Sequence, residues 1–65
     1  MKIKELLDKV YVTVDLIDLT TGDVIISFTP EYKHRVRKYY DNEIYAIMAC
    51  KNKLQIIIGG QENEN

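Results

Sequence analysis

A single histidine, His34, and a single cysteine, Cys50, are the side chains here with the readiest access to acid–base or nucleophilic chemistry. A general base needs an orienting partner and a pocket. On a helix, the neighbours of His34 at three and four residues are Glu31, Arg37 and Lys38, which places it on a solvated face. A cysteine nucleophile needs a lowered pKa, whereas Cys50 closes an apolar run and reads as packing. Asp15 and Asp18 are the other candidates for acid–base or metal work. Three residues apart on a strand they point to opposite faces, so both read as solvated hairpin carboxylates. The chain has no glycine-rich phosphate loop and no Cys/His spacing of a zinc site. The expectation is a protein without catalysis, metal or cofactor.

A denser signal is basic. Lys33, His34, Arg35, Arg37 and Lys38 stand beside Tyr32, Tyr39 and Tyr40, and cations with aromatics are how proteins hold phosphates and stack bases. On an α-helix, at about 100° per residue, these cations spread over about half the circumference, as on a solvated outer face. Arg37 and Lys38 also complement a helix C-terminus. A surface in which Lys33, Arg35, Arg37 and Lys38 steer a protein partner electrostatically is therefore the leading reading. A nucleic-acid-binding helix over residues 33–38 is the alternative.

The elements that must position these residues can be read in order. Ile3, Leu6, Leu7 and Val10 recur at helical spacing, which predicts a short amphipathic helix. Val10, Val12, Val14 and Leu16 then alternate with Tyr11, Thr13, Asp15 and Ile17, so Tyr11–Leu19 reads as a strand. Thr20-Thr21-Gly22-Asp23 forms the turn to a second strand over Val24–Phe28, with Gly22 supplying a positive φ. Thr29 as cap, Pro30 at the first helical position and Glu31 in the first turn open a helix running to about Tyr40. Ile44–Cys50 satisfies helical spacing with Val36 and Tyr40. The polar turn Lys51-Asn52-Lys53 before Leu54-Gln55-Ile56-Ile57-Ile58 favours a strand and a second hairpin. The fold expected is a two-layer α+β domain, an antiparallel four-stranded sheet with two helices in the order α-β-β-α-β-β. It spans residues 1–60, with residues 61–65 a flexible acidic tail.

Sixty-five residues hold one modest core, and oligomerisation is a common remedy at this size. One cysteine allows no internal disulfide, which fits a reducing compartment. The net charge of −1 argues against a surface built throughout for nucleic acid or anionic membrane. The mixed charge of Met1–Glu5 and the lack of a run of about 20 apolar residues leave no signal peptide or membrane span, so a cytoplasmic protein is expected.

The strands carry more apolar residues than two short helices can cover. Placing Val12, Val14, Leu16, Val24, Ile26 and Phe28 under the helices leaves Tyr11, Ile17, Ile25, Tyr45, Ile47 and Ile57 for the other face. Such a patch exceeds what monomers usually expose, so these six residues are the expected interface, with a second copy of the chain as first partner.

The element order, the opening Met1-Lys2-Ile3-Lys4-Glu5-Leu6-Leu7, the Thr21-Gly22-Asp23-Val24 turn and the closing Glu43-Ile44-Tyr45-Ala46-Ile47 and Leu54-Gln55-Ile56-Ile57 strands are similar to short uncharacterised proteins of phages and mobile elements of low-GC Gram-positive bacteria. That resemblance covers most of the chain and implies an accessory protein that binds a host or defence protein. It brings no functional residue with it.

Overall fold

A computed structural model describes residues 1–59, arranged as a five-residue helix α1 (Ile3–Leu7), strands β1 (Thr13–Asp18) and β2 (Val24–Phe28), a 3₁₀ segment (Pro30–Tyr39), and strands β3 (Ile44–Ala49) and β4 (Lys53–Ile58). The α+β class, the four strands and their order are those expected. The acidic tail read over residues 61–65 lies outside the described residues.

One feature of the expected sheet is corrected. The strand order is β2-β1-β4-β3, and the two central strands, β1 and β4, run parallel. Two antiparallel hairpins, β1–β2 and β3–β4, therefore lie side by side in a mixed sheet. Alternation within a strand is the same for both directions of pairing, so it could not reveal this. The consecutive apolar residues Leu16-Ile17 and Ile56-Ile57-Ile58 are the trace that central strands leave.

The second correction concerns the connection between β2 and β3. These strands sit on opposite margins and point the same way, so residues 29–43 must climb the full length of the sheet. A 3₁₀ helix rises about 2 Å per residue against about 1.5 Å in an α-helix, so a connection of given length reaches further in the 3₁₀ form. The segment is 3₁₀, interrupted by non-helical backbone at Tyr32 and Val36, where φ is near −108° and −107°. Its burial repeats every three residues: Pro30, Lys33, Val36 and Tyr39 face inward, while Glu31, Tyr32, His34, Arg35, Arg37 and Lys38 are exposed. The α-helical spacing of Tyr32, Val36 and Tyr39 in the sequence is thus not the spacing used. At the segment's start the Thr29 carbonyl, rather than its hydroxyl, accepts from the Tyr32 amide at 2.8 Å.

The core lies on one face of the sheet. Val14, Leu16, Phe28, Ile56 and Ile58 meet Ile3, Leu7 and Val10 from the N-terminal segment and Val36 from the 3₁₀ segment. Register places the strand residues together, since Val14 pairs with Phe28 and Leu54, and Leu16 with Ile26 and Ile56. A helix as short as α1 is not stable alone. Packing of Ile3 and Leu7 holds it, and main-chain bonds from Ile3 to Asn42 and from Ile44 to Met1 stitch the N-terminus to the entry of β3. The Lys2 amide also donates to the Glu5 carboxylate at 2.8 Å.

Boundaries shift by a few residues from those expected. The first strand begins at Thr13, and Val12 is exposed in the lead-in. A bulge between Leu16 and Ile17 sets Val24 opposite Ile17 instead of under the helices, and Val24 is exposed. The turn between β1 and β2 closes as expected, with Gly22 at φ 78° and its amide donating to the Asp18 carbonyl at 2.7 Å.

Candidate functional site

The outer margin of β3 is the most exposed apolar part of the sheet. Tyr45 is 68% exposed, Met48 49% and Ile47 45%. From Ile44 to Cys50 there is no charged residue, proline or glycine, the devices by which edge strands ordinarily discourage pairing. The only irregularity is a bulge between Ile44 and Ala46, and from Ala46 onward the register with β4 is regular. Cys50 donates to the Lys53 carbonyl at 2.9 Å, which fixes the phase of the ladder. In an antiparallel pair bonded and non-bonded positions alternate, so Ile47 and Ala49 turn their N–H and C=O groups away from β4 towards the free edge.

The face opposite the core is chemically divided. Ser27, Asp15, Gln55 and Met48 form one row across it, and Val24, Ile17, Ile57 and Ala46 form the next. Asp15 is only 4% exposed, covered by its neighbours on the sheet rather than sunk beneath a second layer. The Ser27 hydroxyl donates to its Oδ1 at 2.6 Å, and Lys53 Nζ lies 2.7 Å from Oδ2. The hydrogen bond from Lys53, helped by those from Ser27 and Gln55, holds the Asp15 carboxyl below the usual carboxylate range despite some desolvation. Asp15 in turn raises Lys53. Asp15 is thus not the solvated carboxylate expected; parallel pairing brings β4, and with it Lys53, alongside β1. The group holds its charges in place. Asp18 caps the turn instead, accepting from the Thr20 amide at 2.8 Å.

The cationic residues project from the 3₁₀ segment. Lys33 is drawn inward to Asp8 at 3.0 Å. The Arg35 guanidinium lies over the Tyr32 ring at 5.2 Å, and Lys38 over Tyr39 at 5.3 Å. Arg35, Arg37 and Lys38 make no ion pair among the described residues. Between this segment and α1 is an open cavity of about 340 Å³ lined by Lys4, Glu5, Leu7, Asp8, Lys33 and Tyr40. Lys33 pairs there with Asp8, Lys4 with Asp41 outside the lining, and the Glu5 carboxylate accepts from the Lys2 amide.

The six residues expected at an interface are divided among four places. Tyr45 and Ile47 lie on the β3 margin, and Ile47 pairs with Ile56, so its side chain is on the core face and not on the opposite one. Ile17 and Ile57 are register partners on the opposite face. Ile25, left without a partner by the bulge, packs against the core. Tyr11 is 90% exposed in the lead-in to β1, off the sheet. Met48 was missed; its signal is the uncharged run around it. Cys50 is exposed at the end of β3 instead of packed. Among the described residues no cluster of His, Cys, Asp and Glu could hold a metal ion, and no helix is long and apolar enough to cross a membrane. Comparison of the chain with protein families, curated proteins and solved structures gives no match.

Proposed function

We propose that this chain is a small non-catalytic protein-interaction module that works in the cytoplasm by occupying a partner's surface through the β3 margin. The supporting observation is the exposed, uncharged edge around Tyr45, Ile47 and Met48. A strand laid along such an edge gains main-chain hydrogen bonds, and the exposed side chains above and below give it specificity. Arg35, Arg37 and Lys38 add long-range attraction towards an acidic surface, which raises the encounter rate more than the affinity. The resemblance to small phage and mobile-element proteins gives this module its setting, an accessory protein that blocks a host or defence protein by occlusion.

Nucleic acid is the second reading. It is favoured by the half-exposed Tyr32 beside Arg35, a ring available for stacking next to cations without ion-pair partners among the described residues. One experiment separates the two. A photo-crosslinking phenylalanine analogue is placed at Tyr45 or at Tyr32 and the protein is irradiated in cells. Protein adducts from position 45 that survive nuclease, with none from position 32, are the expected result. Adducts only from position 32 that nuclease removes would replace the protein-binding reading with the nucleic-acid one.

A further inference from the structure

The free part of the β3 edge is a slot with one closed end. The N-terminal residues already pair antiparallel along the entry of β3: the Ile44 amide donates to the Met1 carbonyl at 3.0 Å, the Ile3 amide to the Asn42 carbonyl at 3.1 Å, and Lys2 bridges Glu43. A strand added to this margin therefore has residues 45–50 to lie on, and its row is stopped at Met1. We infer that this slot takes a short extended segment of a different protein, uncharged in its middle and acidic at both ends; this rests on the interaction-module reading above and names the partner's chemistry.

The uncharged middle follows from the walls. Residues 45–50 carry no charge, and Tyr45, Ile47 and Met48 are exposed. Ile47 and Ala49 offer their N–H and C=O groups to the incoming backbone. The acidic ends follow from the charges that flank the slot. Lys51 comes directly after Cys50 at the open end. At the closed end Lys2 stands opposite Glu43, two residues beyond Tyr45 or about 7 Å along a strand. Both lysines are exposed, and neither makes an ion pair among the described residues. Glu43 is engaged with the Met1 ammonium at 3.2 Å. An occupant with a carboxylate at each end thus meets an uncommitted cation at each.

A second copy of the chain fits worse. Laid antiparallel within the two slots, each copy brings its Lys51 towards Lys2 of the other, cation against cation. Laid parallel and in register, the two N-terminal segments, each on the outer edge at residues 42–44, compete for the same space.

Amide NMR of the full chain tests this by titration with a capped peptide of alternating valine and threonine, as long as the slot and carrying a glutamate at each end. The Ile47 and Ala49 signals should move. The same peptide with a lysine at each end should bind about tenfold more weakly, because both end contacts change sign. Lys51→Glu should weaken the glutamate peptide about threefold and strengthen the lysine peptide by a similar factor. Position 51 is exposed, and unchanged thermal melting of the variant confirms that the fold is intact. Equal affinity for the two peptides overturns the acidic ends, as does a Lys51→Glu variant that alters neither affinity. Ile47 and Ala49 signals that no peptide moves overturn the proposal too, and a solution mass of twice the 7.6 kDa chain would then place a second copy on the edge. If position 45 still crosslinks to a different protein, the module reading stands and only the acidic occupant falls. If position 45 crosslinks to no protein, both fall.

Discussion

The outer strands β2 and β3 occupy equivalent margins of one sheet, yet they are finished differently. β2 is five residues long, carries a bulge, is entered from Asp23 and gives way to Pro30, and the 3₁₀ segment packs against it. Phe28 at its end is buried. β3 has no such cover beyond Ile44, and its residues from Tyr45 to Ala49 are mostly exposed although none is charged. The difference teaches where association can occur, because a sheet with one receptive margin can close in pairs whereas a sheet with two would propagate.

The strongest way to break that contrast is to truncate the register partners Ile56 and Ile47. Ile56→Ala removes methylenes from a site with no exposure and should cost about 2–5 kcal/mol. Ile47→Ala, measured by urea denaturation at dilutions where the chain is monomeric, should cost less than about 1 kcal/mol. Similar losses at the two positions would mean that the β3 margin is covered after all.

Asp15 sharpens the comparison from the centre of the sheet. Asp15→Asn should lower stability by about 2 kcal/mol near neutral pH, since it removes a charged acceptor from Ser27 and Lys53. The depressed Asp15 pKa makes this contribution fully present above the ordinary carboxylate value of about 3.9 and lost as pH falls below it. The raised Lys53 pKa makes its share present below the ordinary lysine value of about 10.4 and lost as pH rises through the elevated one. The gap between wild type and variant should therefore be flat from about pH 5 to 9 and close at both extremes. A gap that widens in acid would contradict the ion pair. The smallest expected effect is at the β2 end, where Gly22→Ala should cost about 1 kcal/mol. Nothing approaches within 4 Å of the added Cβ, so the loss would come from the positive φ alone and should leave association unchanged.

Much of this architecture was legible in the residues. Gly22 with its flanking threonines and aspartate announced the first hairpin, and Lys51-Asn52 the second. Val14, Leu16 and Phe28 were correctly read as core. What the sequence concealed was anything that depends on the distance spanned or on the neighbour across the sheet. The 3₁₀ form of Pro30–Tyr39 suits a connection that must climb the sheet, a demand that local spacing does not encode. The burial of Asp15 follows from Lys53 of β4, which comes alongside only once the central pair is known to be parallel. Of the candidate surface, the uncharged run Ile44–Cys50 was visible, but its position on a margin was not. The six apolar residues grouped as one face were scattered by two bulges and by Tyr11 falling outside the sheet.

The parallel centre also governs the order in which the molecule can assemble. Val14 and Leu54 are neighbours in space although forty residues apart in sequence, and non-local pairings of this kind slow folding because their loop must close first. Of the four strands β4 stands furthest along the chain, and it is the one that joins the two hairpins. Until β4 docks, β1–β2 is an isolated ribbon, marginal in water, and β3 lacks its neighbour in the sheet. The two halves of the sheet therefore become stable together, in one cooperative step that waits on the central parallel pair.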